Sequence, residues 1–468
     1  MSAATDRKPW ALAPAVPVSR DERFRRRLRE ADILTAGAIT SASAAVALYL
    51  AYGGAGDFGT VGGFVTSMGI VAGLIGTDLI LIMLVLAARI PLLDRTFGHD
   101  RAMATHRTLG KPAIYLILAH AVLLIIGYGI SSGVNPIAET IAMWNIPDMP
   151  LAFIGTGLLI AVVVTSLVAV RRRFEYEVWH VIHLLSYAAV LTALPHQLSV
   201  GGMLAVGTWQ RVYWIALYVV ALGAIVLFRF AEPIVKSIQH DIRVTSIEQL
   251  APGVASVHLG GRNLRALGAS GGQYFIWRFW TGSTWWHAHP ISLSAVPTDS
   301  AARITVRALG DGTTRLGRLH AGTRVSIEGP YGLFTDAART SPKLAIAAAG
   351  IGVTPVRALV EDSGLTPGDT TIVLRGSDET QRYLWDEIDE LANRRGAKCY
   401  ISVGQRGQGS WLSKRDVDRG VSIRSVFPDL LQSDLYVCGP QAWADVVVAD
   451  AKAHGLASHQ IHWERFDW

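Results

Sequence analysis

Residues 106–120 read HRTLGKPAIYLILAH, and residues 183–196 read HLLSYAAVLTALPH. Each stretch belongs to a predicted membrane helix and carries a histidine near either end. His106 and His120 are 14 residues apart. On an α-helix that spacing is about 21 Å of rise and falls about 40° short of four turns, so both rings face one neighbour, one above the other. His183 and His196 are 13 apart, which leaves an ideal helix about 140° short. Pro195 removes a backbone hydrogen bond just before His196, and the alignment of this second pair rests on the rotation that proline introduces.

Two such helices side by side offer two stacked bis-histidine sites, each able to hold a haem iron axially. The plainer reading is a set of structural imidazoles bonded to neighbouring carbonyls. Ionisable side chains inside a bilayer are rare and usually functional, however, and four in two matched layers favour haem. His180, three residues before His183, is a rival ligand. His99 is expected to be solvated. Arg107 and Lys111 flank one site, where pairing with haem propionates and anchoring of a helix end explain them equally well. Asp78, in the middle of the second apolar run, is read either as a functional carboxyl or as a protonated group bonded to a neighbouring helix. Trp144 lies in a loop on the far side.

The totals agree with a membrane protein. The chain has 468 residues, 50% of them hydrophobic, and a formal net charge of +6. Much of the basic surplus adjoins apolar helices, in RDERFRRRLRE (20–30) and the arginines at 171–173. Charges so placed set topology, and nucleic-acid binding is not expected. Only Cys399 and Cys438 are present, so neither a disulfide framework nor a paired-cysteine zinc site is available. No signal peptide is expected in the polar, arginine-rich first thirty residues.

Apolar runs at 33–51, 67–88, 113–130, 151–170, 178–199 and 212–228 each approach the ~20 residues that cross a bilayer. The connections 52–66, 131–150 and 197–208 hold no Lys or Arg, whereas Arg89, Arg95, Arg101, Arg107, Lys111 and the 171–173 run occupy the other side. The positive-inside rule then places the N-terminus and the C-terminal half in the cytoplasm. His106 and His183 form the inner layer, and His120 and His196 the outer.

After Phe230 the pattern becomes short β-like segments broken by glycine, which predicts an antiparallel barrel. HPISLSAVP (289–297) sets Ser292 and Ser294 where a hydroxyl can meet a flavin ring. GDGTTRL (310–316) reads as a nest for a pyrophosphate or as an ordinary turn. From Ser341 the order is strand, loop, helix. KLAIAAAG is a buried parallel strand, and GIGVTP turns into a helix whose N-terminus suits phosphate. Arg375 and Arg382 follow the next strand, where arginines suit a 2′-phosphate, so NADPH is favoured over NADH, which stays possible. LYVCGPQAW brings Cys438, Gly439 and Pro440 to a strand end, the edge where ligands bind in such sheets. In the terminal HWERFDW, an aromatic ring is able to cover the flavin.

HPISLSAVP, GDGTTRL, GPYG, AGIGVTP, CGP and the terminal ERF together resemble the ferredoxin–NADP reductase-like module. Joined to six helices with two histidine pairs, the chain resembles the bacterial NADPH oxidase and ferric reductase-like transmembrane flavocytochromes over residues 33–468. The resemblance implies that His106, His120, His183 and His196 ligate two b-type haems. It implies that His289, Pro290, Ile291 and Ser292 hold the isoalloxazine of FAD, while Arg307, Gly312 and Thr313 lie near its phosphates. Gly350, Gly352, Thr354 and Pro355 would line the nicotinamide nucleotide site, Cys438 the path of hydride transfer, and Phe466 or Trp468 would stack on the flavin. Ala295 and Val296 depart from the oxidase pattern, which has a second small hydroxyl residue there. No calcium-binding loop is visible.

The expected fold is therefore multidomain: a cytoplasmic segment (1–32), a six-helix transmembrane di-haem domain (33–230), an antiparallel β-barrel FAD domain (231–340) and an α/β Rossmann-like NAD(P)H domain (341–468). The expected reaction passes electrons from cytoplasmic NADPH through FAD and two haems to an outside acceptor. O2, giving superoxide, is favoured; Fe(III) or Cu(II), or a partner protein or quinone, are the alternatives. Membrane lipid is the expected surrounding, a partner protein is not implied, and the plasma membrane is the expected location. A haem-free anchor carrying a flavin reductase is the remaining alternative.

Overall fold

The computed structural model describes residues 19–171, 173–174, 176–200, 202–282 and 287–464. They form two compact units. One holds residues 31–235; the other holds residues 236–464 together with the described residues up to Glu30.

The first unit is helical. Its elements are α1 (Arg20–Ala51, which begins in the other unit), α2 (Val61–Ala87), α3 (Pro91–Phe97), α4 (His99–Ser132), α5 (Pro136–Trp144), α6 (Met149–Ser166), α7 (Val168–Arg171), α8 (Tyr176–Ser199) and α9 (Trp209–Ala224). A π-helical stretch, Ile225–Ala231, leads to α10 (Glu232–His240). Among the described residues six helices are long and apolar enough to cross a membrane, at the six runs expected. Two differences stand out. The α4 helix starts at His99 and runs through Pro112, so His106 and His120 share one unbroken helix. The loop at 131–150 contains α5, because Pro136 takes the first helical position and the Asn135 side chain accepts from the N–H groups of Ile137 and Ala138.

Glycines let α2 and α4 lie almost backbone to backbone. A Cβ on Gly69 would meet Leu124 at 3.0 Å, one on Gly76 would meet Ile117 at 3.0 Å, and one on Gly127 of α4 would meet Thr66 Oγ1 at 2.4 Å. Residues 69, 73 and 76 fall on one face of α2. Small residues at such a seam are what helix pairs need where lipid supplies no hydrophobic drive.

The second unit opens with an antiparallel sheet: β1 (Arg243–Ala251), β2 (Val254–Gly260), β3 (Tyr274–Phe279), β4 (His289–Ala295), β5 (Ala301–Arg307) and, after the short α11 (Asp311–Leu316), β6 (Val325–Tyr331). Their order is β1-β2-β5-β4-β3-β6. The Val244 N–H donates to the Thr323 carbonyl (2.9 Å), and the Val325 N–H to Ile242 (2.9 Å), which ties the two edge strands together and closes the barrel. Phe275, Trp277, Leu293, Ile304 and Ile327 fill it.

The α/β part follows: β7 (Lys343–Ala349), α12 (Val353–Asp362), β8 (Thr370–Gly376), α13 (Trp385–Arg394), β9 (Lys398–Val403), α14 (Lys414–Asp418), α15 (Ile423–Val426), β10 (Ser433–Cys438), α16 (Gln441–Ala453) and β11 (Ile461–Glu464). The parallel order is β11-β10-β7-β8-β9, a doubly wound sheet whose direction of winding switches between β7 and β10. Residues 344–349 of β7 are all buried, as a strand covered on both faces requires.

A carboxylate cluster fastens the barrel to this sheet. Arg303 of β5 makes two hydrogen bonds to Glu387 of α13 (2.9 and 2.7 Å), and Arg357 of α12 donates to the same carboxylate (2.8 Å). Glu361 and Asp362 of α12 accept from the N–H groups of Val296 (2.7 Å) and Gly271 (2.8 Å). Burial alone would raise the Glu387 pKa, but the hydrogen bonds and charges of the two arginines outweigh it and hold the carboxyl below its ordinary range. The Glu387→Ala variant leaves two guanidiniums, each 13% exposed, without their shared partner. Allowing for the partial exposure of Glu387, the expected cost is about 1–2 kcal/mol. Differential scanning calorimetry of the full chain should show the melting step of this unit about 2–6 °C lower. An unchanged step would mean that the cluster is not the fastening.

Candidate redox sites

Helix α4 presents His106 and His120 as the sequence requires, and the carbonyls of α2 fix both rings. His106 Nδ1 lies 3.0 Å from the Met83 carbonyl oxygen and His120 Nδ1 2.9 Å from that of Gly69. A carbonyl only accepts, so each Nδ1 carries the proton and each Nε2 is left with its lone pair, the form a metal binds. Gly73 lies against the second ring: a Cβ there would fall 2.3 Å from His120 Nδ1. On α8, His183 Nδ1 donates to Ser166 Oγ of α6 (3.3 Å), whose own hydroxyl donates to the Val162 carbonyl (2.7 Å). Its Nε2 is free in the same way.

The rings of His106 and His183 lie with centroids 6.1 Å apart and planes tilted 59° to one another. Two imidazoles bound to opposite sides of one metal, at about 2 Å per bond, stand with centroids about 6 Å apart. The residues therefore fit a bis-histidine haem. His120 and His196 are near enough to act on one another electrostatically, and the backbone group close to the buried His196 ring is the Ala193 carbonyl of its own helix. Trp179 packs on His183 (5.0 Å between centroids) and also near His180, the rival ligand (6.4 Å). Arg107 and Lys111 are exposed on α4, one just past His106 and the other a turn farther along.

One expectation is revised, and Asp78, read two ways, meets a neighbouring helix. His99 is not solvated: the α3–α4 corner buries it, with Nδ1 3.4 Å from Asp94. Asp78 is fully enclosed, and its Oδ1 accepts from Ser41 Oγ of α1 at 2.6 Å. Ser41 in turn lies 3.2 Å from the Tyr213 hydroxyl of α9, so the group joins three helices.

In the barrel, HPISLSA forms β4, pairing Ser292 with Tyr274 of β3. Ser292 Oγ and His289 Nε2 are buried and make no hydrogen bond among the described residues. Orphaned polar atoms on one strand are what a bound flavin would satisfy. Burial, then the nearby charges of His287 and Arg278, lowers the His289 pKa to about 4, so the ring is neutral at physiological pH. Gly312 brings the GDGT segment onto this strand, since a Cβ there would meet His289 Cε1 at 3.2 Å. That segment is the helix α11. Thr313 Oγ1 accepts from the N–H groups of Leu309 and Gly310 (2.9 and 3.2 Å), so its hydroxyl caps the turn. Ser294 differs from Ser292: its Oγ accepts from Thr305 (2.9 Å), which bonds Ser256 (2.8 Å), inside the barrel wall. Pro290 and Ile291 lie on β4, and Arg307 ends β5.

The AGIG turn and the CGP loop meet at the winding switch. A Cβ on Gly352 would fall 2.2 Å from the Cys438 carbonyl oxygen, and Gly350 has a left-handed φ of +55° that favours glycine. Thr354 and Pro355 are buried in the first turn of α12, with Thr354 Oγ1 donating to the Ile351 carbonyl (3.0 Å). Cys438 is fully buried beside Glu464. Burial first, then that carboxylate, raises the thiol pKa well above its ordinary value, so it stays a neutral SH. Gly439 packs on Trp443, and Pro440 caps α16. The two arginines part company. Arg375 is buried and donates to the carbonyls of Gly376, Ser402 and Gly404, fixing the ends of β8 and β9. Arg382 stays in solvent, paired with Glu379 (2.9 Å) and above the Trp385 ring. Phe466 and Trp468 lie outside the described residues.

The family description "Ferric reductase like transmembrane component" matches residues 72–194, and "Oxidoreductase NAD-binding domain" matches residues 346–449. The chain thus carries one region similar to a ferric reductase-like transmembrane component and another similar to the NAD-binding domain of oxidoreductases. The first match covers α4 and most of α8, and the second covers the winding switch. Among curated relatives, it is 27% identical over 185 residues to the stachydrine N-demethylase reductase subunit of Rhizobium meliloti, covering 37% of this chain and 52% of that one. It is 28% identical over 173 residues to ferredoxin–NADP reductase B of Sorangium cellulosum, covering 34% and 68%. The match to the first of these therefore spans about half of that relative's length. Among solved structures, the FAD/NAD-binding domain of a nitric oxide dioxygenase from Vibrio cholerae aligns with a TM-score of 0.39 at 19% identity, over 49% of this chain and 99% of that one.

One residue near the winding switch was not visible in the sequence. The Tyr383 hydroxyl is buried, makes no hydrogen bond among the described residues, and lies 3.9 Å from where a Gly350 Cβ would stand. The neighbouring Leu384 holds a left-handed φ of +65°, a strain of the kind that collects at ligand sites. A tyrosine just before a helix carries no motif, so only the fold shows it. Tyr383→Phe should raise the KM for NAD(P)H about fivefold, the loss of about 1 kcal/mol of hydrogen bonding, with FAD content unchanged. Steady-state kinetics with an artificial acceptor read it, and an unchanged KM would remove Tyr383 from the site.

Proposed function

We propose that the chain carries electrons from NADPH, by way of FAD and two b-type haems, across the membrane to O2, which becomes superoxide. The balance is NADPH plus two O2 giving NADP+, a proton and two superoxide ions. The observation that carries this reading is the nearness of His106 and His183, ring centroids 6.1 Å apart, with both Nδ1 atoms hydrogen-bonded, which leaves the Nε2 lone pair of each for a metal. When bound, the flavin supplies the change from hydride to single electrons, and the haems supply one-electron carriers at two depths.

The chain's own part is to bind, orient and exclude. His289, Ser292 and the enclosed Tyr274 form a wall for the isoalloxazine, with Pro290 and Ile291 beside them. Arg307 and the GDGT turn with Gly312 face the FAD phosphates. Gly350, Gly352, Thr354, Gly439 and Pro440 shape the winding switch for the nicotinamide nucleotide, and Cys438 keeps a neutral thiol on the path of hydride transfer. Arg382, the arginine still in solvent after the β8 strand, supports NADPH over NADH. Phe466 or Trp468 would cover the flavin.

The chain is a multi-pass membrane protein, and its arginine distribution supports a cytoplasmic N-terminus and reductase module, with the plasma membrane as its site. No partner protein or nucleic acid is required. A second reading, reduction of chelated Fe(III) or Cu(II), is favoured by the family description matched over residues 72–194.

Protein purified in detergent and loaded with haem and FAD decides between them. NADPH added without oxygen should bring up the reduced b-type bands, and air should then remove them with about one superoxide per electron. Slow reoxidation in air with fast reoxidation by chelated Fe(III) would establish the metalloreductase instead. Reoxidation only after a co-purified partner or quinone is added would make it an electron-transfer module. Absence of any haem spectrum would leave a flavin reductase on a helical anchor.

A further inference from the structure

Three of the four membrane histidines have an Nδ1 partner: Met83 for His106, Gly69 for His120 and Ser166 for His183. The fourth, His196, has no such partner on another helix among the described residues; the backbone group near its ring is the Ala193 carbonyl of α8 itself. His196 follows Pro195, which donates no backbone hydrogen bond, within α8. What the structure supplies at this point is the next residue. Gln197 Oε1 accepts from Trp214 Nε1 (2.7 Å) and from the Tyr218 hydroxyl (3.2 Å), both on α9, while its Nε2 donates to the Ala193 carbonyl (3.2 Å). Trp214 and Tyr218 are buried, at 1% and 3% exposure, so the grip is made away from water.

Adjacent residues on a helix point about 100° apart. Pinning Gln197 to α9 therefore fixes the rotation of the last turn of α8 and turns His196 toward α4 and His120. We infer that Gln197 is the positioning residue for the His120–His196 site, doing for His196 through the helix what a carbonyl or hydroxyl does directly for the other three. The inference rests on the haem reading above.

The test uses full-length protein in detergent, loaded with haem, as wild type, Gln197→Ala and Gln197→Glu, the last keeping an acceptor for both donors. Transfer of haem to apomyoglobin and the low-spin electron paramagnetic resonance signals are recorded. In Gln197→Ala one of the two haems should leave about tenfold faster, in line with loss of a ligand-orienting contact, and one of the two low-spin signals should shift. The other haem should be unaffected, and Gln197→Glu should restore most of both effects. Unchanged release and signals in Gln197→Ala would overturn the inference. So would equal loosening of both haems with a lower melting temperature, which marks a general structural role. Wild-type protein that binds no haem would instead sink the haem reading itself.

Discussion

Everything in the membrane unit depends on how closely α2 approaches α4. Gly69, Gly73 and Gly76 remove side chains from the face between them, and only that removal lets the Gly69 carbonyl reach His120 and leaves room for its ring against Gly73. The Met83 carbonyl does the same for His106 farther along the helix. Both carbonyls sit in a helix whose hydrogen bonds are otherwise satisfied internally, so the second lone pair of each is available at little cost. The result is a pair of imidazoles with the tautomer already chosen. Energy that would go into orienting a metal ligand goes instead into packing two helices.

The reductase unit solves the matching problem with glycine and charge. Its sheet switches winding direction between β7 and β10, and two glycine-rich loops meet there so closely that any side chain at Gly352 would strike the Cys438 carbonyl. The barrel contributes buried polar atoms, Ser292 Oγ and His289 Nε2, that find no partner within the described chain. The Arg303–Glu387–Arg357 cluster holds barrel and sheet in register, so that atoms on β4 and loops beyond β7 remain parts of one site. A site divided between two folding patterns needs such a fastening, because neither sheet alone fixes the distance between the two nucleotides.

Much of this was readable in the sequence, for physical reasons. Spans of about 20 apolar residues and the spacing of His106 and His120 follow directly from helical rise and rotation. The winding switch follows from glycine-rich turns after buried strands. What was hidden depends on neighbours distant in the chain. Arg375 and Arg382 look alike on paper, yet burial commits the first to backbone carbonyls, and the sequence does not mark which arginine ends a covered strand. Ser292 and Ser294 likewise share a motif, and only the partner strand shows that Thr305 occupies the second hydroxyl. His99 was misjudged because its partner, Asp94, lies around a helix corner. Helix α5 was missed because its nine residues are far too few to cross a bilayer and were read as a connection, although the Asn-Pro pair that caps it was visible. The glycine spacing in α2 was also visible and would have named the helix that carries the orienting carbonyls.

The central claim is that one chain holds two haems, each between a histidine of α4 and one of α8. Counting haem by the pyridine haemochrome assay in purified wild type, His106→Leu, His183→Leu, His120→Leu and His196→Leu tests it most directly. The account predicts two haems per chain in the wild type and one in each single variant, with His106→Leu and His183→Leu losing the same spectral component and His120→Leu and His196→Leu losing the other. Two haems retained in any of the four variants, or loss patterns that pair the residues along one helix, would contradict it.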